Sequence, residues 1–251
     1  MNPATSERAN GHADGAPRTP VLELRGITAA YGRIEVLHGV DLVVPPASVV
    51  ALLGPNGAGK TTTIKIASGQ MRPTAGHLHV AGRHVNGASP DALARAGVCT
   101  IPEGRGIFPN LTVEENLRMV TFGGVSTDEV QAVAYDRFPR LGERRHQLAG
   151  SMSGGEQQML SIARALATRP ALLMLDEFSM GLAPIIVQQL YEIVAQIAAE
   201  GVSILVVEQF ASVALKVADY AAIMTHGRIH KVGQPADVQA EISNAYLGSA
   251  A

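Results

Sequence analysis

Tryptophan is absent from this chain, aromatic residues make up 4% of it, and cysteine occurs once. The lone Cys99 excludes an internal disulfide, and its place in the apolar run Val98-Cys99-Thr100-Ile101 points to packing rather than reactive-thiol chemistry. No stretch approaches the roughly 20 uninterrupted apolar residues of a membrane-spanning helix, and no apolar signal core stands at the N-terminus. The expectation is a soluble protein that stays in the cytoplasm. A formal net charge of −2 without a dense basic stripe, in a chain poor in stacking aromatics, leaves no electrostatic case for nucleic acid as a partner. No fixed-period repeat is present.

With 251 residues and 47% hydrophobic composition, the chain suits one large domain or a domain with a smaller insertion. Residues 1–20 hold almost nothing large and apolar and read as a flexible tail, which leaves a single domain over 21–248. Val21-Leu22-Glu23-Leu24 alternates like a strand, and Glu35 to Val44 gives a second before Pro45-Pro46 stops it, so an antiparallel β layer opens the domain. Strands are also expected at His77 to Ala81 and Val98 to Ile101, with a short helix near Pro90 to Ala96. From Thr112 to Arg140 the periodicity is helical: Thr112-Val113-Glu114-Glu115 has the form of a capping box, and Gly123-Gly124 separates two helices. A helical insertion over about 104–158 is the expectation. Buried-strand runs return at Ala171 to Asp176 and Val202 to Val207, with an amphipathic helix from Pro184 to Ala199 between them. Ala221 to Thr225 and Arg228 to Val232 flank a His226-Gly227 hairpin turn. Strand–helix–strand alternation of this kind predicts an α/β fold with a mostly parallel sheet.

The run Gly54-Pro55-Asn56-Gly57-Ala58-Gly59-Lys60-Thr61-Thr62 follows the short apolar strand Ser48 to Leu53 and opens a helix. Glycines let such a loop wrap its amides around phosphate oxygens, and the helix start adds its positive dipole end. In this context the motif reads as a P-loop that binds a nucleotide triphosphate, with Lys60 neutralising phosphate and Thr61 holding magnesium. Asp176-Glu177 closes an apolar run and so lies at the C-terminal edge of a sheet, where ligands sit in α/β folds. Asp176 can ligate magnesium through water. Glu177 can orient and deprotonate the water that attacks the γ-phosphate, a role worth roughly 10²–10⁴ in rate.

Ser151-Met152-Ser153-Gly154-Gly155-Glu156-Gln157-Gln158 places a serine cap and two glycines at the start of another helix. Taken in order with the P-loop and the acidic pair, this tract resembles the signature of the ATP-binding-cassette (ABC) ATPases, and the resemblance extends from Val21 to Gly248. It implies a P-loop core with an N-terminal antiparallel β subdomain and an inserted helical subdomain. It also implies that Ser153, Gly154, Gly155 and Glu156 complete the nucleotide pocket of a second cassette, two copies holding two ATP molecules head to tail. Tyr31 matches the aromatic that stacks on adenine, and Ser179-Met180-Gly181-Leu182 matches the loop that touches the opposite subunit. Phe178 stands where family members generally carry proline.

Two departures bear on chemistry. In the tract Ile101 to Leu117, which fits the loop coupling nucleotide to the membrane partner, Glu103 replaces the usual glutamine; its carboxylate still offers magnesium an oxygen. Gln209 stands where the switch histidine is usual, and an amide can donate to a γ-phosphate but cannot become cationic near neutral pH. Pro102-Glu103-Gly104-Arg105, Glu208-Gln209, Gly181-Leu182-Ala183-Pro184 and Ala245-Tyr246-Leu247-Gly248 together are similar to the smaller, LivF-type cassette of branched-chain amino acid importers. That resemblance implies a partner cassette, two transmembrane permease subunits and an extracytoplasmic solute-binding protein, with the chain peripheral on the inner face of the membrane. Relatives in this group also serve urea, short amides and other amino acids. Gln209 keeps open a regulatory module with little hydrolysis. A soluble cassette of translation or DNA repair, which would carry two cassettes or a coiled-coil insertion, and a P-loop kinase, which would not need Ser153-Gly154-Gly155, fit less well. His77 and His79 read as ordinary strand residues, and Glu143-Arg144-Arg145-His146 as a solvated helix end.

Overall fold

A computed structural model describes residues 19–104, 106–120 and 125–247. Its centre is a six-stranded sheet built from β3 (Val49–Leu53), β6 (Val98–Ile101), β7 (Leu172–Asp176), β8 (Ser203–Glu208), β9 (Tyr220–Thr225) and β10 (Arg228–Gly233). The spatial order is β10-β9-β3-β8-β7-β6, parallel throughout except for β10, which returns antiparallel to β9. A strand buried on both faces cannot alternate polar and apolar residues, which is why β3, β7 and β8 read as continuous apolar runs. Their side chains still divide by parity. Val49, Ala51 and Leu53 point into one core with Leu173, Leu175, Ile204 and Val206; Val50 and Leu52 point into the other with Leu172, Met174, Leu205 and Val207.

The second core is closed by a four-stranded antiparallel sheet and the P-loop helix. Its strands are β1 (Leu22–Tyr31), β2 (Ile34–Val44), β4 (Ala75–Val80) and β5 (Arg83–His84), in the order β2-β1-β4-β5, and the helix is α1 (Lys60–Ala67). β1 runs well past the Val21 to Leu24 segment expected from alternation, because register shifts between Leu24 and Ile27 and again at Ala29 and Ala30 break the period without ending the strand. On the outer face His84 joins His77 and His79, their rings 5.2–6.3 Å apart.

Helices close the first core: α3 (Val113–Arg118), α4 (Thr127–Arg137), α5 (Pro139–Glu143), α6 (Gly154–Leu166), α7 (Pro184–Ala199) and α8 (Ala211–Val217), while α2 (Pro90–Arg95) lies beside β6 and α9 (Pro235–Leu247) ends the described chain. The expected capping box is present at α3, where Thr112 Oγ1 accepts from the Glu115 amide and the Glu115 carboxylate accepts from the Thr112 amide. The Gly123-Gly124 break, Gly248 and residues 1–18 of the expected tail lie outside the described residues. Among the described residues no helix is long and apolar enough to cross a membrane.

One glycine fixes how the P-loop leaves the sheet. A Cβ at Gly54 would stand 2.1 Å from the Met224 carbonyl oxygen of β9, a backbone atom that cannot move aside. Gly54→Ala is expected to cost roughly 2–3 kcal/mol of stability through overpacking. The denaturant midpoint measures it, and an unchanged midpoint would show that β9 yields.

Candidate functional site

β3, β7 and β8 are adjacent and parallel, so their C-terminal ends deliver Gly54, Asp176 and Glu208 to one edge of the sheet. An open cleft of about 420 Å³ lies there, lined by Asn56, Gly57, Gly59, Lys60, Thr61, Thr62, Glu103 and Glu177, with Val36 and Met180 at its walls. Thus Glu103, the acidic edge and the loop, far apart in sequence, share one space. Ser153, Gly154, Gly155 and Glu156 do not line it.

The loop end suits an anion. Gly59 is the N-cap of α1 at φ 106, so it offers no side-chain acceptor, and no acidic residue occupies the first turn. The leading amides of a helix have no intrahelical acceptor, and here nothing from the cap takes their place. Lys60 is buried, its ammonium 3.0 Å from the Gly54 carbonyl, 3.1 Å from that of Pro55 and 3.3 Å from Glu177 Oε1. A cation held only by neutral carbonyls and one carboxylate is poised to exchange those partners for phosphate oxygens.

The opposite wall suits a hard cation. Thr61 Oγ1 donates to Asp176 Oδ1 at 3.5 Å, and Glu177 and Glu103 stand nearby. Burial above all, with the charges of Glu177 and Glu103 adding to it, raises the Asp176 carboxyl to about 6 against the opposing pull of the Thr61 hydroxyl and the Lys60 charge. Thr61 and Asp176 supply the hard oxygens magnesium takes, although among the described residues no three acidic, histidine or cysteine side chains converge closely enough to hold a metal by themselves. Glu177 itself sits in left-handed backbone at φ 46, rare for a residue with a Cβ, pinned by its amide bond to the Val207 carbonyl at 2.9 Å. That bend turns its carboxylate toward Lys60.

Other expected residues are placed as follows. Tyr31 ends β1 half-exposed, outside the cleft lining; Lys65 donates to its hydroxyl at 3.3 Å and lies 5.6 Å from its ring centroid. Hydrogen bonding to Thr62, with Lys65 adding to it, holds the phenol below its ordinary value. Gln209 follows β8 directly and is half-buried. At the tip of α6, Ser153 caps the helix, and the Glu156 carboxylate accepts from the Ser153 amide at 3.0 Å and hydroxyl at 2.8 Å. Residues 143–146 do form a mostly exposed helix end, and within it Arg144 Nε stands 3.3 Å from Glu156, so Arg144 also braces the cap.

Sequence reasoning missed the residues that hold this site from behind. Asn116 ties down the loop after Glu103, its side chain accepting from the Phe108 amide and donating to the carbonyls of Phe108, Leu111 and Thr112. Arg164 of α6 donates to the Gly106 carbonyl and lies 4.8 Å from the Phe108 ring centroid. Only the capping-box spacing hinted that the Asn116 helix begins there.

A P-loop at the end of β3, an acidic pair at the end of β7 one strand away across β8, and a second glycine-led helix tip define an ATP-binding cassette. The sequence profile of the ABC transporter family matches residues 37–179, and the chain belongs to that family. It is 44% identical over 235 residues to the high-affinity branched-chain amino acid transport ATP-binding protein BraG of Pseudomonas aeruginosa, covering 91% of this chain and 100% of BraG. To BraF of the same organism, also a high-affinity branched-chain amino acid transport ATP-binding protein, it is 30% identical over 252 residues, covering 92% and 99%. The ADP conformation of MJ1267, an ATP-binding cassette of an ABC transporter, matches with a TM-score of 0.81 over 90% of this chain and 95% of that one at 23% identity, a likeness of fold. The α/β P-loop architecture and the nucleotide-binding class expected from sequence are thereby borne out.

Proposed function

We propose that this chain is the ATP-hydrolysing subunit of an importer for branched-chain amino acids. The observation that carries the cargo is the 44% identity along the whole of BraG. The cleft supports the chemistry: Lys60 and the free backbone amides of the loop from Asn56 to Thr62 hold the β- and γ-phosphates, Thr61, Asp176 and Glu103 would hold magnesium, and Glu177 orients the attacking water. Bound magnesium would screen the phosphate charge and align the γ-phosphoryl group. Tyr31 receives the adenine, Gln209 donates toward the γ-phosphate, and Ser153, Gly154, Gly155 and Glu156 act at a second cassette's nucleotide, Glu156 by capping the helix tip. In this reading 21–248 is one cassette domain with its helical insertion over about 104–158, peripheral on the inner membrane face. Its partners are a second cassette, two permease subunits and, through them, an extracytoplasmic solute-binding protein.

Reconstitution with the permeases tests the cargo. A binding protein loaded with leucine, isoleucine or valine is expected to stimulate ATP turnover several-fold, and one loaded with urea or a short amide is not. Stimulation by urea alone would move the cassette to another importer. Tight ATP binding without turnover in the assembled complex would favour a regulatory module.

A further inference from the structure

Glu208 is a carboxylate buried to 2% exposure at the end of β8, directly before Gln209. Burying a carboxylate is expensive, and here three donors answer it. The Ser179 amide reaches Oε1 at 2.9 Å, the Ser179 hydroxyl reaches Oε2 at 2.9 Å, and the Tyr191 hydroxyl reaches Oε1 at 2.8 Å. All three come from the segment after the acidic pair: Ser179 begins the loop Ser179-Met180-Gly181-Leu182, and Tyr191 lies on α7, which follows it. Phe178 explains its own departure from proline. Buried to 1%, its ring packs edge-on against Tyr191 with centroids 6.4 Å apart, and its carbonyl accepts from Gln158 of α6 at 2.9 Å.

Stability alone does not require this arrangement, because apolar side chains of similar volume commonly replace a buried charged cluster at little loss. What the bonds supply is fixed geometry between two segments 29 residues apart. The Glu208 carbonyl also accepts from the Gly54 amide at 3.4 Å, so the same residue touches the start of the P-loop.

We propose that Glu208 is a positioning residue that clasps the Ser179 loop to the strand end presenting Gln209, so that the partner-facing loop and the γ-phosphate contact move as one body. The inference rests on the proposed roles of Glu177, Gln209 and the Ser179 loop. The clasp acts in the assembled pair. It leaves the grip of the P-loop on nucleotide unchanged.

Three variants of the full chain, assembled with its partner cassette and permeases, test it. Glu208→Leu removes all three bonds while filling the volume; kcat is expected to fall roughly tenfold or more, the value of one bond to a charged group. ATP affinity should stay within about twofold, while the melting midpoint drops by several degrees because the Ser179 amide and the Ser179 and Tyr191 hydroxyls lose their acceptor. Glu208→Gln can keep every bond, because its oxygen accepts twice and its amide nitrogen can donate to Ser179 Oγ, so it should restore at least about half of kcat. Tyr191→Phe keeps the packing against Phe178 and removes one donor, and covers the case in which Glu208→Leu fails to fold; a drop in kcat of about threefold or more at unchanged ATP affinity is expected. An unchanged kcat in Tyr191→Phe, or a Glu208→Gln as defective as Glu208→Leu, overturns the clasp. A Glu177→Gln control separates the two levels: turnover surviving there removes the site assignment, whereas its loss beside a fully active Glu208→Leu removes only the clasp.

Discussion

Glu177→Gln is expected to lower ATP turnover about 10³-fold while ATP binding tightens. The first half follows from the assigned role: an amide can still hydrogen-bond a water but cannot take its proton. The second half follows from the geometry of the cleft, in which Glu177 Oε1 lies 3.3 Å from Lys60 Nζ and both side chains are largely shielded from solvent. There the carboxylate competes with phosphate for the lysine and repels the nucleotide's charge as it enters. Neutralising it removes both effects, so the apparent Kd should fall several-fold even as turnover is lost. Equilibrium binding beside single-turnover hydrolysis checks the pair. Loss of turnover with weaker binding would mean that Glu177 holds the P-loop in shape rather than serving the water.

The fold was legible where burial is two-sided or a cap is local. β3, β6, β7 and β8 stand out as short apolar runs with abrupt ends, and α7 begins and ends where its proline and its last alanine predict. The remainder was hidden for physical reasons. β5 is two residues long, and α8 follows Phe210 with no side-chain cap. α9 carries only a weak apolar period. Bulges disguised the length of β1.

The candidate site divides the same way. Gly54 to Thr62, Asp176, Glu177 and Ser153 announce themselves because their chemistry is written in consecutive residues. The supports do not. Arg144 meets Glu156 across a helical turn and a 3₁₀ turn at Ala149–Ser151, and Glu208 finds Ser179 and Tyr191 only because β7 and β8 are paired in register. Sequence patterns report local geometry, and these contacts are made by the sheet.

Asp176→Asn should separate stability from activity at a single position. In the folded chain the carboxyl titrates at about 6, against 3.8 as its ordinary value, because burial disfavours its charge. Below both values it is neutral in the folded and unfolded chain alike and makes no difference between them. As the pH rises from 3.8 the unfolded chain ionises first, so the folded state loses relative stability, and the penalty is complete above about 6. Its ceiling is about 3 kcal/mol. Relaxation of the protein around the buried charge screens part of this, which leaves roughly 1–2 kcal/mol. In magnesium-free buffer at pH 7.5 the asparagine variant is therefore expected to melt about 3–6 °C above the parent, with the gain fading toward pH 4. Turnover moves the other way, by about 10²-fold or more, because the lost carboxylate is the one aimed at the magnesium position. Adding magnesium and ATP should narrow the stability gap by stabilising the parent, since a cation beside Asp176 removes the reason its charge is costly. A variant no more stable than the parent at neutral pH would show that the carboxylate is already solvated, and with it the electrostatic case for a cation at this edge of the sheet would fail.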